Sequence, residues 1–391
     1  MLVPTISTVI FLFLTVLLLR VINATGQNDI LPLSGDELPE NPPMVSIIVP
    51  MRNEQRNAKR CLESLLSQNY PIFEIIAIDD RSEDNTLCIL KELASKHSNL
   101  KVVEGKPLPK DWVGKNHAIW QGIQYAKGEW LLFTDADTVS DPNMLPSVIN
   151  YVVKNGIDML SISPFQILET FWERVIQPVI FCSIHYAFSR KKVNDPRSKT
   201  AAANGQFILI KHSVYQELGG HLAIKDKIVE DFALAKLVKE RGYRLIVLRG
   251  IRLVKTRMYT SFSEIWEGWT KNLFLGIGQK WGLLLYFTIT LFLWGFTPFI
   301  LLGWSIFGFF YTQISLTSLL ITLTEGLVLF TLVTYNAWSC TRFFRLPSYY
   351  AFTFPLGISI YIAIILSSTY KVVSGKGVTW KGRRYRVQEL G

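Results

Sequence analysis

The chain is short of charge and of cysteine. Only 18% of its 391 residues are Asp, Glu, Lys or Arg, below the quarter or so usual in soluble domains. Apolar residues make up 49%, and the mean hydropathy is positive at +0.24. The apolar residues are clustered, so the balance suggests a soluble part joined to membrane spans and argues against a uniformly apolar soluble enzyme. The four cysteines (61, 88, 182 and 340) include no Cys-x-x-Cys pair. Their wide gaps suggest neither a zinc site nor a disulfide framework, and the usage fits a reducing compartment. Cys61 falls on an apolar helical face and reads as a core thiol. His117, His185 and His221 stand at no metal-ligand spacing. There is no internal repeat, low-complexity tract or nucleic-acid motif. The net charge of +10 is therefore assigned to membrane contact, because basic residues mark the cytoplasmic side of spans and bind anionic lipid head groups.

What is present falls into blocks. "MLVPTISTVIFLFLTVLLLR" carries no charge before Arg20. It is just long enough to span a bilayer and lacks the basic start of a signal peptide, so residues 1–22 read as an uncleaved anchor. Residues 23–43 are rich in turn formers and acids and read as a linker. From 44 to 260 strands alternate with helices: "MVSIIVP" (44–50), "FEIIAIDD" (73–80), "LKVVEG", "EWLLFTDAD", "NGQFILIK" (204–211) and "YRLIVLRG" (243–250) as strands, with a helix at 229–242. Asn53 is expected to cap the first helix. The alternation predicts an α/β fold with a mostly parallel sheet and helices on both faces. Residues 261–282 are Trp-rich and suit a membrane interface. Apolar runs at 283–310, 314–335 and 350–368 make 283–370 a transmembrane region, and 371–391 is a basic tail. One span before the domain and three after would put that tail outside, whereas its charge and Arg342 and Arg345 point to the cytoplasm. Either Pro298 splits a run into a re-entrant pair, or one segment lies in the interface.

In an open parallel sheet, ligands bind beyond the carboxyl ends of the strands. Three acidic clusters fall there: "PMRNE" after the first strand, "DDRSEDNT" after the second, and "LLFTDADT", with Asp135 and Asp137, after the fourth. Acids converging at one sheet edge repel one another and lose hydration. A bound divalent cation supplies the missing positive charge. Hard cations such as Mg²⁺ or Mn²⁺ prefer carboxylate oxygens and take their other ligands from water and substrate phosphates. Asp-x-Asp after an apolar strand fits that need. The bland readings are a helix-dipole role for Glu54, a cap for Asp79 or Asp80, a solvated Lys115 and an exposed Asp231.

Taken together, "VSIIVPMRNE", "IAIDDRSEDNT", "GKNHAIWQG", "GEWLLFTDADT" and "IVEDFAL" resemble the inverting nucleotide-sugar glycosyltransferases of family two, which have the GT-A, Rossmann-like fold. The resemblance covers about residues 44–250. "NGQFILIKHSVYQELGGH", "WEGWTKN" and "WKGRRY" narrow it to membrane-bound members similar to the hopene-associated and carotenoid glycosyltransferases. The resemblance implies that Pro50, Glu54, Asp79 and Asp80 cradle the nucleotide, with either adjacent aspartate at the base. It places Lys115 near the phosphates, Asp135 and Asp137 on the metal–diphosphate unit with Asp137 the direct ligand, and Asp231 as the catalytic base. The implied cofactor is Mg²⁺ or Mn²⁺. The implied partners are a nucleotide-sugar donor such as a UDP-hexose, a lipid acceptor and the membrane, with the catalytic domain facing the cytoplasm and no nucleic acid. The Gln-x-x-Arg-Trp motif of processive members is missing; "EIWEGWTKN" stands in that region, which puts polymer synthesis in doubt. The rivals are transfer to a polyprenyl phosphate or polysaccharide, and a non-catalytic nucleotide-sugar-binding or transport protein.

Overall fold

The computed structural model describes residues 8–9, 12–14, 29–33, 38–310 and 314–385. Most of the expected anchor at 1–22, and part of the linker, lie outside the described residues. The chain divides into two compact units.

One unit holds 27–167, 188–258 and 374–391. Its strands are β1 (Val45–Met51), β2 (Phe73–Asp79), β3 (Leu100–Glu104), β4 (Trp130–Thr134), β5 (Thr138–Ser140), β6 (Met159–Ser163), β7 (Phe165–Gln166), β8 (Phe207–Lys211), β9 (Leu245–Arg249), β10 (Val254–Thr256), β11 (Val378–Trp380) and β12 (Arg383–Tyr385). Seven of them form the main sheet in the order β3-β2-β1-β4-β8-β6-β9. Strand β8 runs antiparallel to both β4 and β6; the other pairs are parallel. A small second sheet has the order β5-β10-β7, and β11 and β12 form a hairpin.

The apolar strands explain the layers. In β1, Val45, Ile47, Val49 and Met51 belong to one buried cluster and Ile48 to another, because successive side chains on a strand point to opposite faces. The helices Ala58–Leu66 and Met144–Asn155 contribute to the first cluster. The helices Gly114–Ile123 and Glu230–Glu240 contribute to the second. Strands buried on both faces read as continuous apolar runs, which is how "SIIV" and "WLLF" appear in the sequence. After β1 the chain moves outward through β2 and β3, then returns to place β4 on the other side of β1. The β1/β4 boundary is thus a topological switch point, where open α/β sheets leave a crevice for ligands.

Several local expectations are corrected. Asn53 does not cap the first helix: its φ is +52°, its side-chain oxygen accepts from Glu83 N at 2.8 Å, and the helix begins at Ala58 after Asn57. Neither Asp79 nor Asp80 caps the next helix, whose flanking residue is Asn85. Within the stretch read as linker, Ile30 bridges to Arg249 and Leu31 is buried. Residues 159–163 and the tail at 378–385 form strands that periodicity did not announce.

The other unit holds 168–187 and 259–373 with the chain's first residues. Its helices include Phe171–Ala187, Phe262–Gly276, Trp281–Phe309, Leu316–Phe343 and Phe354–Val373. Among the described residues, three stretches are long and apolar enough to cross a membrane: Trp281–Phe309, Leu316–Phe343 and Ser348–Val373. Pro298 does not split the first of these, which runs through it as one helix. Neighbouring helices make such a proline tolerable inside a span. Small residues set the close approaches: a Cβ on Gly326 would lie 3.1 Å from Leu302, and one on Gly295 would lie 3.0 Å from Ile358.

Candidate active site

The switch point collects the charged residues that follow β1, β2 and β4. Pro50 is the penultimate residue of β1. Beyond it, Arg52 donates to the carbonyls of Asp80 (2.8 Å) and Arg81 (2.6 Å). Glu54 N donates to Thr86 Oγ1 at 2.8 Å. These bonds tie the end of β1 to the loop after β2. Asp79 and Asp80 are 3% and 4% exposed, so neither is a solvated loop acid.

Lys115 enters from the first turn of the Gly114–Ile123 helix. Its ammonium lies 2.7 Å from Asp135 Oδ1 and 2.6 Å from Glu230 Oε1. Burial works against its charge, but the two carboxylates outweigh that and hold its pKa above the ordinary lysine value. Pro50, Lys115, Asp135, Gly205, Glu230 and Asp231 line one cavity, floored by Phe133 of β4 and Ile208 of β8. Asp231 is the second residue of its helix. Its carboxylate accepts from Gly205 N (2.9 Å) and Phe232 N (2.8 Å). Burial and the adjacent Glu230 nevertheless push its pKa up to about 7, against the pull of Lys115 and those two N–H groups. A carboxylate tuned close to neutral pH is suited to accept a proton.

Asp137 follows β4. Burial, Asp135 and Glu54 push its pKa up to about 8. Its Oδ1 is buried with no hydrogen-bond partner among the described residues. Such an orphaned oxygen beside other acids is what a bound cation would satisfy, so the donor set fits a hard divalent metal. Among the described residues no three or more His, Cys, Asp or Glu side chains gather into a metal cage. Mg²⁺ sites that rely on one or two carboxylates and substrate phosphates need no such cage.

The structure thus brings Pro50, Lys115, Asp135 and Asp231 into one cavity, with Glu54 near enough to Asp137 to help raise its pKa. Asp79 and Asp80 stand at the β2 end of the same edge. Sequence reasoning missed Glu230, which pairs with Lys115, although it is the first acid of "VED". It also missed Lys381 and Arg383 of the tail hairpin. Lys381 pairs with Glu54 and Arg383 with Asp80. The tail's basic composition was visible, but its partners lie about 300 positions away in the sequence.

The chain resembles several known proteins. The chain is 29% identical over 250 residues to the 4,4'-diaponeurosporenoate glycosyltransferase of Staphylococcus aureus strain MRSA252, which covers 63% of this chain and 65% of that relative. The chain thus spans somewhat under two thirds of that relative's length. Among solved structures, the mannosyltransferase PcManGT of Pyrobaculum calidifontis, in complex with GDP-Man and Mn²⁺, matches with a TM-score of 0.53 at 16% identity. That match covers 94% of this chain and 98% of the mannosyltransferase and is a likeness of fold. Residues 46–219 match the family model described as "Glycosyl transferase family 2".

Proposed function

We propose that the chain is a membrane-bound, metal-dependent, inverting glycosyltransferase. It moves a hexose from a nucleoside-diphosphate sugar, a UDP-hexose first among those to assay, to a hydroxyl on a lipid of the isoprenoid or carotenoid class. The observation that carries this reading is the meeting of Lys115, Asp135 and Asp231 in one cavity at the β1/β4 switch point. The Staphylococcus relative is named a 4,4'-diaponeurosporenoate glycosyltransferase, and the three long apolar helices suit an enzyme whose acceptor resides in a bilayer. The catalytic unit faces the cytoplasm, where nucleotide sugars are made.

Each residue then has a task. Pro50, Glu54, Asp79 and Asp80 hold the nucleoside end of the donor. Asp231 takes the proton of the acceptor hydroxyl as its oxygen attacks the anomeric carbon, and the bond to the diphosphate breaks on the opposite face. One displacement inverts the centre. Lys115, held charged between Asp135 and Glu230, offsets negative charge on the departing nucleoside diphosphate. A divalent cation held by Asp137 and Asp135 would supply Lewis-acid stabilisation of that same charge. No second catalytic carboxyl is required, in contrast to glycoside hydrolases, where a carboxylic acid protonates the leaving oxygen.

The test is transfer of labelled sugar from UDP-hexoses into an organic-soluble product by the purified full-length protein with a lipid extract. Asp231→Asn should lower the rate ~10²–10⁴-fold, the range for losing a general base. Wild-type turnover in that variant would remove Asp231 from its role, and turnover indifferent to chelator would remove the metal.

A further inference from the structure

The C-terminal hairpin is a small element in an unexpected place. Strands β11 and β12 pair Val378 with Tyr385, Thr379 with Arg384 and Trp380 with Arg383. That leaves Lys381 and Gly382 as a two-residue loop. Their φ values, +47° and +77°, are both positive, as a type I′ turn requires. The turn therefore presents Lys381 at the tip. Two glycines in the left-handed region, Gly375 at +69° and Gly377 at +73°, precede the hairpin. A two-stranded hairpin is marginal on its own, so its docking contacts decide where it rests.

Those contacts are polar and fall on the residues assigned to the nucleotide. Arg383 forks onto the Asp80 carboxylate: Nη1 meets Oδ2, and Nη2 donates to Oδ1 at 2.9 Å. Lys381 Nζ donates to Glu54 Oε1 and, at 2.9 Å, to the Arg52 carbonyl. Arg52 Nε returns a bond to the Lys381 carbonyl at 3.3 Å. The site is shaped around the hairpin: a Cβ on Gly114 would overlap Arg383 Nη1 and come within 3.1 Å of Asp80 Oδ2 and Tyr385 Oη. The Lys381 ammonium sits on Glu54, which with Asp80 marks the nucleoside end, while Asp137 marks the metal end. A nucleoside diphosphate spanning those ends would carry its phosphates past that ammonium. Lys115 is already shared by Asp135 and Glu230, so a donor bringing more negative charge into this acidic cleft gains from a further cation beside Lys115 and the metal.

We propose that Lys381 is a ligand of the donor's diphosphate, carried on a hairpin lid that Arg383 latches to Asp80 over the nucleoside end of the cleft. The inference rests on the glycosyltransferase reading above. Lys381 rests on Glu54; with donor present it exchanges that carboxylate for phosphate oxygens. The exchange keeps one charge-assisted contact in place of another and needs only rotation of a long, flexible side chain.

The experiment uses the full-length protein in detergent with Mn²⁺. Binding constants are measured for UDP, GDP, ADP and dTDP and for the matching nucleosides, with wild type, Lys381→Ala, Lys381→Arg and Arg383→Ala. Lys381→Ala should weaken the diphosphate that binds by ~10-fold or more, the scale of one charge-assisted hydrogen bond. It should leave the nucleoside nearly unchanged, and Lys381→Arg should restore most of the loss. The same diphosphate should protect the wild-type hairpin from trypsin, and Arg383→Ala should remove that protection. Unchanged or tighter diphosphate binding by Lys381→Ala would overturn the proposal, the tighter case marking the hairpin as a plug. Equal loss of nucleoside and diphosphate would overturn it too, as a structural effect. If the wild type binds no diphosphate, the donor reading itself fails and takes the lid with it; if the wild type binds and Lys381→Ala is indifferent, only the lid is lost.

Discussion

Asp231 accepts two backbone N–H groups and still has a pKa raised to about 7, because burial and Glu230 both disfavour its charge. A base of this kind works only when ionised, so kcat/KM should rise with pH through about 7. Neutralising the like charge should make ionisation easier. Glu230→Gln is therefore expected to move the acidic limb of that profile to lower pH, and a limb that stays put or moves up would contradict the origin given to the shift. Asp137 makes a second residue-scale prediction. Its buried Oδ1, unpartnered among the described residues, points to a role in holding the cation, so Asp137→Asn should abolish stimulation by Mn²⁺ while the protein keeps its unfolding temperature. Asp135 and Asp137 were legible in the sequence because they follow an apolar run, and Asp231 through the family resemblance of "IVEDFAL". Glu230 was written beside Asp231, but its ion pair with Lys115 depends on two helices meeting on one face of the sheet.

At the scale of elements, most of the strands could be read from continuous apolar runs, since strands covered on both faces need no polar alternation. The helix Gly114–Ile123 shows how tightly such layers close. A Cβ on Gly122 would sit 2.5 Å from Ile78 Cδ1 of β2. Gly122→Val should therefore destabilise the full-length protein by ~1–3 kcal/mol, the usual cost of overpacking, read as a lower midpoint of denaturant unfolding. An unchanged midpoint would mean that the helix and strand are less closely packed than described. The tail hairpin was not legible: its strands are three residues each, too short for periodicity, and "WKGRRY" reads as a basic tail. Its turn offers a test independent of ligand. Gly382 has φ +77°, which a β-branched residue adopts poorly. Gly382→Val should speed tryptic cleavage at 381–384 with the sheet unit otherwise intact.

At the scale of the whole molecule, the three apolar helices predict that the full-length protein stays with the membrane fraction through alkaline carbonate washing and leaves it only with detergent. Release by carbonate would sink the membrane reading. Sequence by itself determined the α/β class, the apolar helices and the acids at the ends of β1, β2 and β4, because burial demands apolar runs and strand ends are where an open sheet exposes its chemistry. It could not decide which charges meet. Tertiary structure alone set β4 beside β1 across the switch point, turned Glu230 toward Lys115, and brought Lys381 and Arg383 back onto Glu54 and Asp80. An ion pair needs a few ångströms of space rather than any spacing along the chain, and only the folded backbone supplies that proximity.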